Sequence, residues 1–196
     1  MTTFLLIRHA VTDITGKILT GRLPGFHLSA AGRAQAHAVC DRHAAGGISA
    51  IYSSPLERAI ETATPLADRL GLTIQTCESF NEVDYGRWSG MDFEQIQALE
   101  EWTRFNQLRG SARPPGGESI LDLQHRTIPE LRRLCHLHKD ATITIFSHGD
   151  PIRATLLHCL GMPGDLVHRL HVAPASTSVV EMQDGEQRVM RINCEC

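Results

Sequence analysis

The run Phe4-Leu5-Leu6-Ile7-Arg8-His9-Ala10 decides the fold class of this chain. Four consecutive apolar residues that end at Arg8 are typical of a strand buried on both faces inside a parallel sheet. Arg8 and His9 then lie at the carboxyl end of that strand, and this is the edge of open α/β sheets where ligands bind. The position of the charged pair therefore indicates a functional edge.

A second run repeats this pattern far downstream. Residues 142–147 form another apolar β run, and His148 and Gly149 follow it directly. Asp150 and Pro151 suit the N-cap and the first position of a helix. We therefore expect His148 between a strand end and a helix N-terminus, where free backbone N–H groups favour an anion.

The composition excludes several classes of partner. The formal net charge is -3 at pH 7, and duplex nucleic acid needs a basic surface, so no nucleic-acid partner is expected. Met1 leads directly into the first strand without a secretory leader, and no apolar run approaches membrane-spanning length. We expect a cytoplasmic protein with no membrane partner, and its oligomeric state stays open.

The cysteines number six and are spread along the chain. Four of them, scattered among predicted elements, are expected to be small buried or half-buried residues. The other two, Cys194 and Cys196, form a Cys-x-Cys tail. A metal or redox role is possible there, but a frayed terminus with reduced thiols is the better interpretation.

A helix is predicted directly after residues 48–52, which form a short apolar strand. Ser54 and Glu57 have capping-box spacing, and Pro55 stands at the first helical position. Arg58 then falls in the first turn, where a cation opposes the helix dipole. A bound anion beside Arg58 explains this placement, and pairing with a nearby acid is the alternative.

Helical patterns also cover residues 93–108 and 119–138, and Pro129 should kink or split the second of these helices. The C-terminal part predicts a β-hairpin around Asp184-Gly185. The length suits a single domain over residues 1–196. Within it, a cap-like excursion at about 84–117 is expected to cover the functional edge.

Five polar side chains are expected to meet at the strand ends: Arg8, His9, Arg58, Glu82 and His148. Two arginines offer fork-shaped donors to a phosphate dianion, and a neutral imidazole is a competent nucleophile toward phosphorus. A second, protonated histidine can stabilise the transition state. A glutamic acid beside a phosphate dianion has a raised pKa and can protonate the leaving alkoxide. This set suits phosphoryl transfer without a metal.

The same residues carry a resemblance to the histidine phosphatase superfamily, in its phosphoglycerate mutase-like, cofactor-dependent branch. The resemblance implies a three-layer α/β/α sandwich with a mostly parallel central sheet. Ala10 departs from the family's usual glycine, which is tolerable if its φ is not positive, and Asp150-Pro151 is a second departure. The matching segments, in the family's order, are residues 8–10, 53–63, 81–90, 114–119 and 147–149.

The resemblance also implies roles for individual residues. His9 would become phosphohistidine and Glu82 would be the proton donor, with His148 as the third catalytic residue. No metal and no cofactor is implied, and the expected partner is a small-molecule phosphate ester. The substrate-binding residues implied are Arg8, Arg58, Thr12, Thr20, Gly21, Arg22 and Gly149.

The resemblance implies, by analogy with the family, a metal-independent phosphomonoesterase acting through a phosphohistidine intermediate. A mutase is the first alternative, although the family's mutases are longer. They also differ in the sequence of the acid loop, which corresponds here to residues 81–90 around Glu82. Others are a non-catalytic phospholigand-binding relative and a protein-phosphohistidine phosphatase. A metallohydrolase is suggested only by the spacings His136-x-His138 and His168-x-x-His171. The identity of the ester stays open.

Overall fold

A six-stranded sheet lies at the centre of the computed structural model, which describes residues 1–183 and 185–195. In chain order, the strands are β1 (Thr2–Arg8), β2 (Ile48–Ser53), β3 (Ile74–Thr76), β4 (Thr142–Ser147), β5 (Thr177–Gln183) and β6 (Glu186–Cys194). Their order across the sheet is β3-β2-β4-β1-β5-β6.

The first four strands are parallel, whereas β5 and β6 form the predicted antiparallel hairpin. Asp184, which the sequence places in its turn, lies outside the described residues. β1 and β4 are neighbours, and Arg8 lies opposite Ser147. Parallel neighbours end at the same edge of a sheet, so β1 and β4 bring their terminal polar residues together.

Strand β1 is buried on both faces, as its sequence predicts. Phe4 and Leu6 belong to the apolar cluster on one face of the sheet, and Leu5 and Ile7 belong to the cluster on the other face. All four side chains are buried. The alternation follows from the two-residue period of a strand, and it explains why a continuous apolar run was needed here.

Helices cover both faces of the sheet, which confirms the predicted three-layer sandwich. Val39 and Leu66 pack on one face, from the first two helices, and Leu131 and Ile152 pack on the other. The helices are α1 (Ala30–His43), α2 (Glu57–Leu70), α3 (Phe93–Gln97), α4 (Glu100–Gln107), α5 (Ile120–Leu137) and α6 (Gly149–Cys159).

The predicted start of α2, at Pro55, is wrong by two residues. The helix begins at Glu57, with Leu56 as an N-cap that makes no side-chain cap bond. The Ser54 hydroxyl instead lies 2.7 Å from Nε2 of His148, and the Glu57 carboxylate accepts from the Gly25 N–H at 3.0 Å. Both members of the expected capping box thus have partners distant in the sequence.

The predicted start of α6 also needs correction. His148 is the N-cap, and Asp150 and Pro151 lie inside the first turn. The Asp150 carboxylate is bound by Arg109 rather than by the helix N-terminus. The prediction that His148 lies between a strand end and a helix N-terminus is confirmed.

The region 93–137 differs from its predicted pattern in two ways. Residues 93–108 form two short helices, α3 and α4, rather than one. Helix α5 runs through Pro129 without splitting, because its buried apolar face packs on the sheet and offsets the lost backbone bond. The predicted split is therefore wrong, and the kink stays a prediction. Its predicted beginning is confirmed, since Ser119 and Asp122 form a reciprocal capping box.

The segment at about 84–117 packs against α5 and α6 around a third apolar cluster. From this segment Trp88, Ile96 and Phe105 are buried in the cluster, and Leu123 and Leu157 contribute from the two helices. Aromatic edges meet aromatic faces in it, as between Trp88 and Phe105, whose ring centroids are 5.5 Å apart. The segment therefore has its own apolar packing beside the sheet edge.

The cysteine predictions are confirmed only in part. Cys40, Cys77, Cys135 and Cys159 are free thiols that are buried or half-buried. Cys194 ends β6 and lies opposite Thr177, so the expected fraying does not include it, and Cys196 lies outside the described residues. Within the described part of the chain, no helix is long and apolar enough to cross a membrane.

Candidate active site

The ends of β1 and β4 place two histidines side by side. The His9 N–H donates to the Ser147 carbonyl at 2.8 Å, and the His9 and His148 ring centroids are 5.1 Å apart. Ala10 has no positive φ, and its N–H donates to the Thr62 hydroxyl at 3.0 Å. The alanine that replaces the family's glycine is therefore accommodated without strain.

The tautomer of His9 is set by the backbone. Its Nδ1 lies 2.8 Å from the Ala10 carbonyl oxygen, which can only accept, so Nδ1 carries the proton. Nε2 is then left with its lone pair. Burial, together with the charges of Arg58 and Arg8, holds the pKa of His9 well below its ordinary value. The ring is consequently neutral at pH 7, as a nucleophile requires.

Within the part of the chain that the structure describes, Arg8 and Arg58 are each held by one backbone carbonyl and are otherwise unpaired. Arg8 donates through Nη1 to the Val172 carbonyl at 2.7 Å, and Arg58 donates through Nη2 to the Gly21 carbonyl at 2.8 Å. Nε of Arg8, and Nε and Nη1 of Arg58, are buried without a hydrogen-bond partner. Burial lowers the pKa of both guanidiniums, so an anion at these donors would remove an unfavourable arrangement.

His148 is fully buried behind His9. Its Nε2 is paired with the Ser54 hydroxyl, and its Nδ1 has no partner. Burial and the charge of Arg58 hold its pKa well below the ordinary value, so the ring is neutral rather than protonated as expected. When the Ser54 hydroxyl donates to Nε2, Nδ1 carries the proton and His148 still offers one donor.

Glu82 is the acid of the site. Burial and the charge of Asp150 raise its pKa to about 7, although Arg58 and Arg8 act in the opposite direction. One carboxylate oxygen accepts from the Val83 N–H at 2.9 Å. A carboxyl whose pKa is raised toward neutral pH suits a general acid and base.

A cavity of about 300 Å³ opens between these groups and the surface. Most of the residues predicted for substrate binding line it, but Arg22 does not. The Arg22 guanidinium donates to the Glu82 carbonyl at 2.9 Å and to the Glu118 carboxylate at 2.7 Å, so it supports the acid loop instead. The predicted residues that line the cavity are Arg8, His9, Thr12, Thr20, Gly21, Arg58, Glu82 and Gly149.

Sequence reasoning missed a charged cluster at one side of the cavity. Asp150 accepts from the Tyr85 hydroxyl at 3.0 Å and from Arg153 at 3.1 Å, and it is also paired with Arg109. Arg109 and Asp150 are both almost fully buried. The three-residue spacing of Asp150 and Arg153 was a readable signal, whereas nothing local connects Asp150 with Arg109, which lies 41 positions away.

The histidine spacings that suggested a metal have other partners. His138 Nε2 lies 2.8 Å from the Tyr52 hydroxyl, and His168 Nε2 lies 3.1 Å from Oδ1 of the Asn106 side chain. Across residues 1–183 and 185–195, no group of three His, Cys, Asp or Glu residues is arranged to hold a metal ion.

The fold and the site define the class of protein: an α/β sandwich with two histidines, two arginines and a glutamic acid at the carboxyl edge of its parallel strands. The chain belongs to the histidine phosphatase superfamily, branch 1, which it matches over residues 4–195. The resemblance inferred from the motifs is thereby confirmed.

Relatives and solved structures agree with this membership. A bifunctional protein of Mycobacterium tuberculosis is 34% identical over 197 residues, a match that covers 98% of this chain and 54% of the relative. This chain therefore spans about half the length of that curated relative. The fold is similar to that of a mycobacterial glucosyl-3-phosphoglycerate phosphatase, with a TM-score of 0.89, 26% identity, and coverage of 98% of this chain and 99% of the other.

A second solved structure is a mutant phosphoserine phosphatase from Entamoeba histolytica in complex with phosphoserine. It is 28% identical, has a TM-score of 0.86, and covers 98% of this chain and 97% of its own. Both structural neighbours are thus phosphatases of small phosphorylated metabolites, and this chain is similar to them over nearly its whole length.

Proposed function

We propose that this protein is a metal-independent phosphomonoesterase that hydrolyses a small phosphorylated metabolite through a phosphohistidine at His9. One observation carries the proposal: buried, unpaired groups of Arg8, Arg58 and His148 surround a neutral His9 whose Nε2 is free. Two guanidiniums supply the charge that neutralises a phosphate dianion. The proposed mechanism therefore needs no metal ion to neutralise the phosphate.

In the first step, the Nε2 lone pair of His9 attacks phosphorus as the bond to the ester oxygen breaks. The leaving alkoxide takes the proton of Glu82, whose pKa of about 7 keeps a substantial protonated fraction at neutral pH. The Ala10 carbonyl, which accepts from Nδ1–H, supports the positive charge that develops on the ring. Arg8 and Arg58 hold the equatorial oxygens of the transferred group.

In the second step, water attacks the phosphohistidine and the Glu82 carboxylate takes its proton. The phosphorus–nitrogen bond breaks, inorganic phosphate forms, and His9 and protonated Glu82 are restored. The same residue serves as acid and then as base, as reversibility of the two half-reactions requires. His148 contributes a hydrogen bond from Nδ1, and binding of the dianion would favour its protonation.

The neighbours support a small ester as the substrate, since the two solved relatives are phosphatases of phosphoserine and of glucosyl-3-phosphoglycerate. The cavity of about 300 Å³ agrees with a ligand of that class. We also propose that the segment at about 84–117 acts as a cap within a single domain, because its Tyr85 and Phe93 line the cavity.

The test is phosphate release from a panel of monoesters in excess chelator, with His9→Ala measured in parallel. We expect release by the wild type and a loss of at least about 1,000-fold in His9→Ala. His37→Ala, an exposed histidine away from the cavity, is the matched control and should retain full activity. Release that survives in His9→Ala would refute the proposal, and exchange between phosphoglycerates without net hydrolysis would indicate a mutase.

A further inference from the structure

Beyond the groups that surround His9, one side of the cavity carries a group of apolar side chains. Several of these side chains are only partly buried, so a ligand with an apolar body would gain by covering them further. Three threonines lie beside them, and two of these, Thr12 and Thr15, hydrogen-bond to each other at 3.0 Å. The apolar wall, as we call it below, consists of Ile14, Ile18, Leu19, Phe26, Phe93 and the ring of Tyr85.

Backbone hydrogen bonds hold the apolar wall together. The Phe93 N–H donates to the Lys17 carbonyl at 2.9 Å, and the Leu19 N–H donates to the Met91 carbonyl at 2.9 Å. On its inner side the wall is fixed to the phosphate-binding groups, because Arg58 donates to the Gly21 carbonyl. The wall is thus formed before a ligand arrives, which lowers the entropic cost of binding.

The charges that line the cavity beyond the phosphate-binding groups are already paired. Arg153 donates to Asp150 at 3.1 Å and, through Nε, to the Leu170 carbonyl at 2.9 Å. Asp150 is satisfied further by Arg109 and Tyr85. Among the described lining residues, no other cation remains for a second anionic group of a substrate.

We propose that the leaving group of the substrate is an uncharged alcohol with an apolar, ring-sized body that lies against Phe26 and Phe93. The inference rests on the proposed phosphatase function and narrows its substrate class. It predicts that esters with a carboxylate beside the phosphate, such as phosphoserine and 3-phosphoglycerate, are poor substrates. Burial of the ring against the wall supplies the preference.

The test compares benzyl phosphate with phosphoserine, since both have primary alkyl leaving groups and differ mainly in the charge and polarity of the body. We expect kcat/KM to be about 10- to 100-fold higher for benzyl phosphate. In Phe26→Ala the ratio of the two kcat/KM values should fall about tenfold. Leu23→Ala, on the same loop but outside the cavity lining, should leave the ratio unchanged.

The ratio of two substrates does not depend on the fraction of folded enzyme, so a merely structural effect of Phe26→Ala would not move it. Should that variant fail to fold, Phe93→Ala makes the same prediction. A higher kcat/KM for phosphoserine or 3-phosphoglycerate, or an unchanged ratio in Phe26→Ala, would overturn the inference and leave the phosphatase proposal intact.

If no ester is hydrolysed, the phosphatase proposal fails, and calorimetry decides the inference separately. Benzylphosphonate should then bind more tightly than 2-amino-3-phosphonopropionate, and weaker binding of benzylphosphonate would overturn it.

Discussion

The inner end of the cavity is built from charged groups at strand ends and at a helix start, whereas its outer side is the apolar wall carried by two loops. At the inner end, burial changes the chemistry: it lowers the pKa of His9 and raises that of Glu82. On the apolar wall, burial changes only which ligand is favoured. Substitutions at the inner end should therefore alter the reaction, and those in the wall should alter the choice of ester.

Among the variants below, the largest loss of activity is expected for Glu82→Gln at the inner end of the cavity. Alkyl esters need protonation of the leaving alkoxide, so their kcat should fall by about 100- to 10,000-fold. p-Nitrophenyl phosphate has a stable leaving group and should lose less than about tenfold. Equal losses for both esters would show that Glu82 is not the acid, and Glu94→Gln, at an exposed position, is the control.

Glu82→Gln should also change how kcat/KM depends on pH. The acid form of Glu82 is required, and its pKa is about 7 in the free enzyme. Above that pH the protonated fraction falls, so wild-type kcat/KM for an alkyl ester should decline on the alkaline side. That decline should disappear in Glu82→Gln, whereas its persistence would assign the limb to another group.

The buried pair Arg109–Asp150 connects the cap-like segment with the inner end. Arg109→Met leaves the Asp150 carboxylate buried with one cation fewer, and we expect a loss of about 3–5 kcal/mol in the free energy of unfolding. Arg113→Ala breaks the exposed pair with Asp122 and should cost less than about 1 kcal/mol. Urea unfolding measures both, and similar losses would show that burial does not decide the strength of this link.

The fork geometry of Arg58 provides a third test. Arg58→Lys keeps the positive charge but removes the planar pair of donors, so kcat/KM should fall by about 100-fold and inhibition by inorganic phosphate should weaken. Arg69→Lys, an exposed position at the other end of α2, should have no effect. Full activity of Arg58→Lys would mean that charge alone is needed at the inner end.

The smallest effect is expected for Asp150→Asn. The negative charge of Asp150 raises the pKa of Glu82, whereas Arg58 and Arg8, which also face it, lower that pKa. Removing the charge should lower the pKa of Glu82 and move the alkaline decline of kcat/KM to lower pH. A decline that stays in place, measured on the folded variant, would show that burial alone sets this pKa.

Much of the site was predictable because its residues follow short-range patterns. The apolar runs that end at Arg8 and at His148 determine buried strands, and buried parallel strands place their ends at one edge. The role of Glu82 as proton donor came from the family resemblance, because no short-range pattern distinguishes it from other loop acids. The position of Arg22 could not be predicted, because its guanidinium bonds to Glu118, which lies 96 positions away.

The sequence by itself determined the sheet, its functional edge and the chemical groups that gather there, since alternation and apolar runs act over a few residues. Only the tertiary structure decided where α2 and α6 begin. Ser54 and Asp150 had good local capping positions, yet Ser54 pairs with His148 and Asp150 with Arg109. A polar side chain that becomes buried needs the hydrogen-bond partner that the fold provides. Leaving that partner buried and unpaired destabilises the folded state by more free energy than an N-cap hydrogen bond contributes.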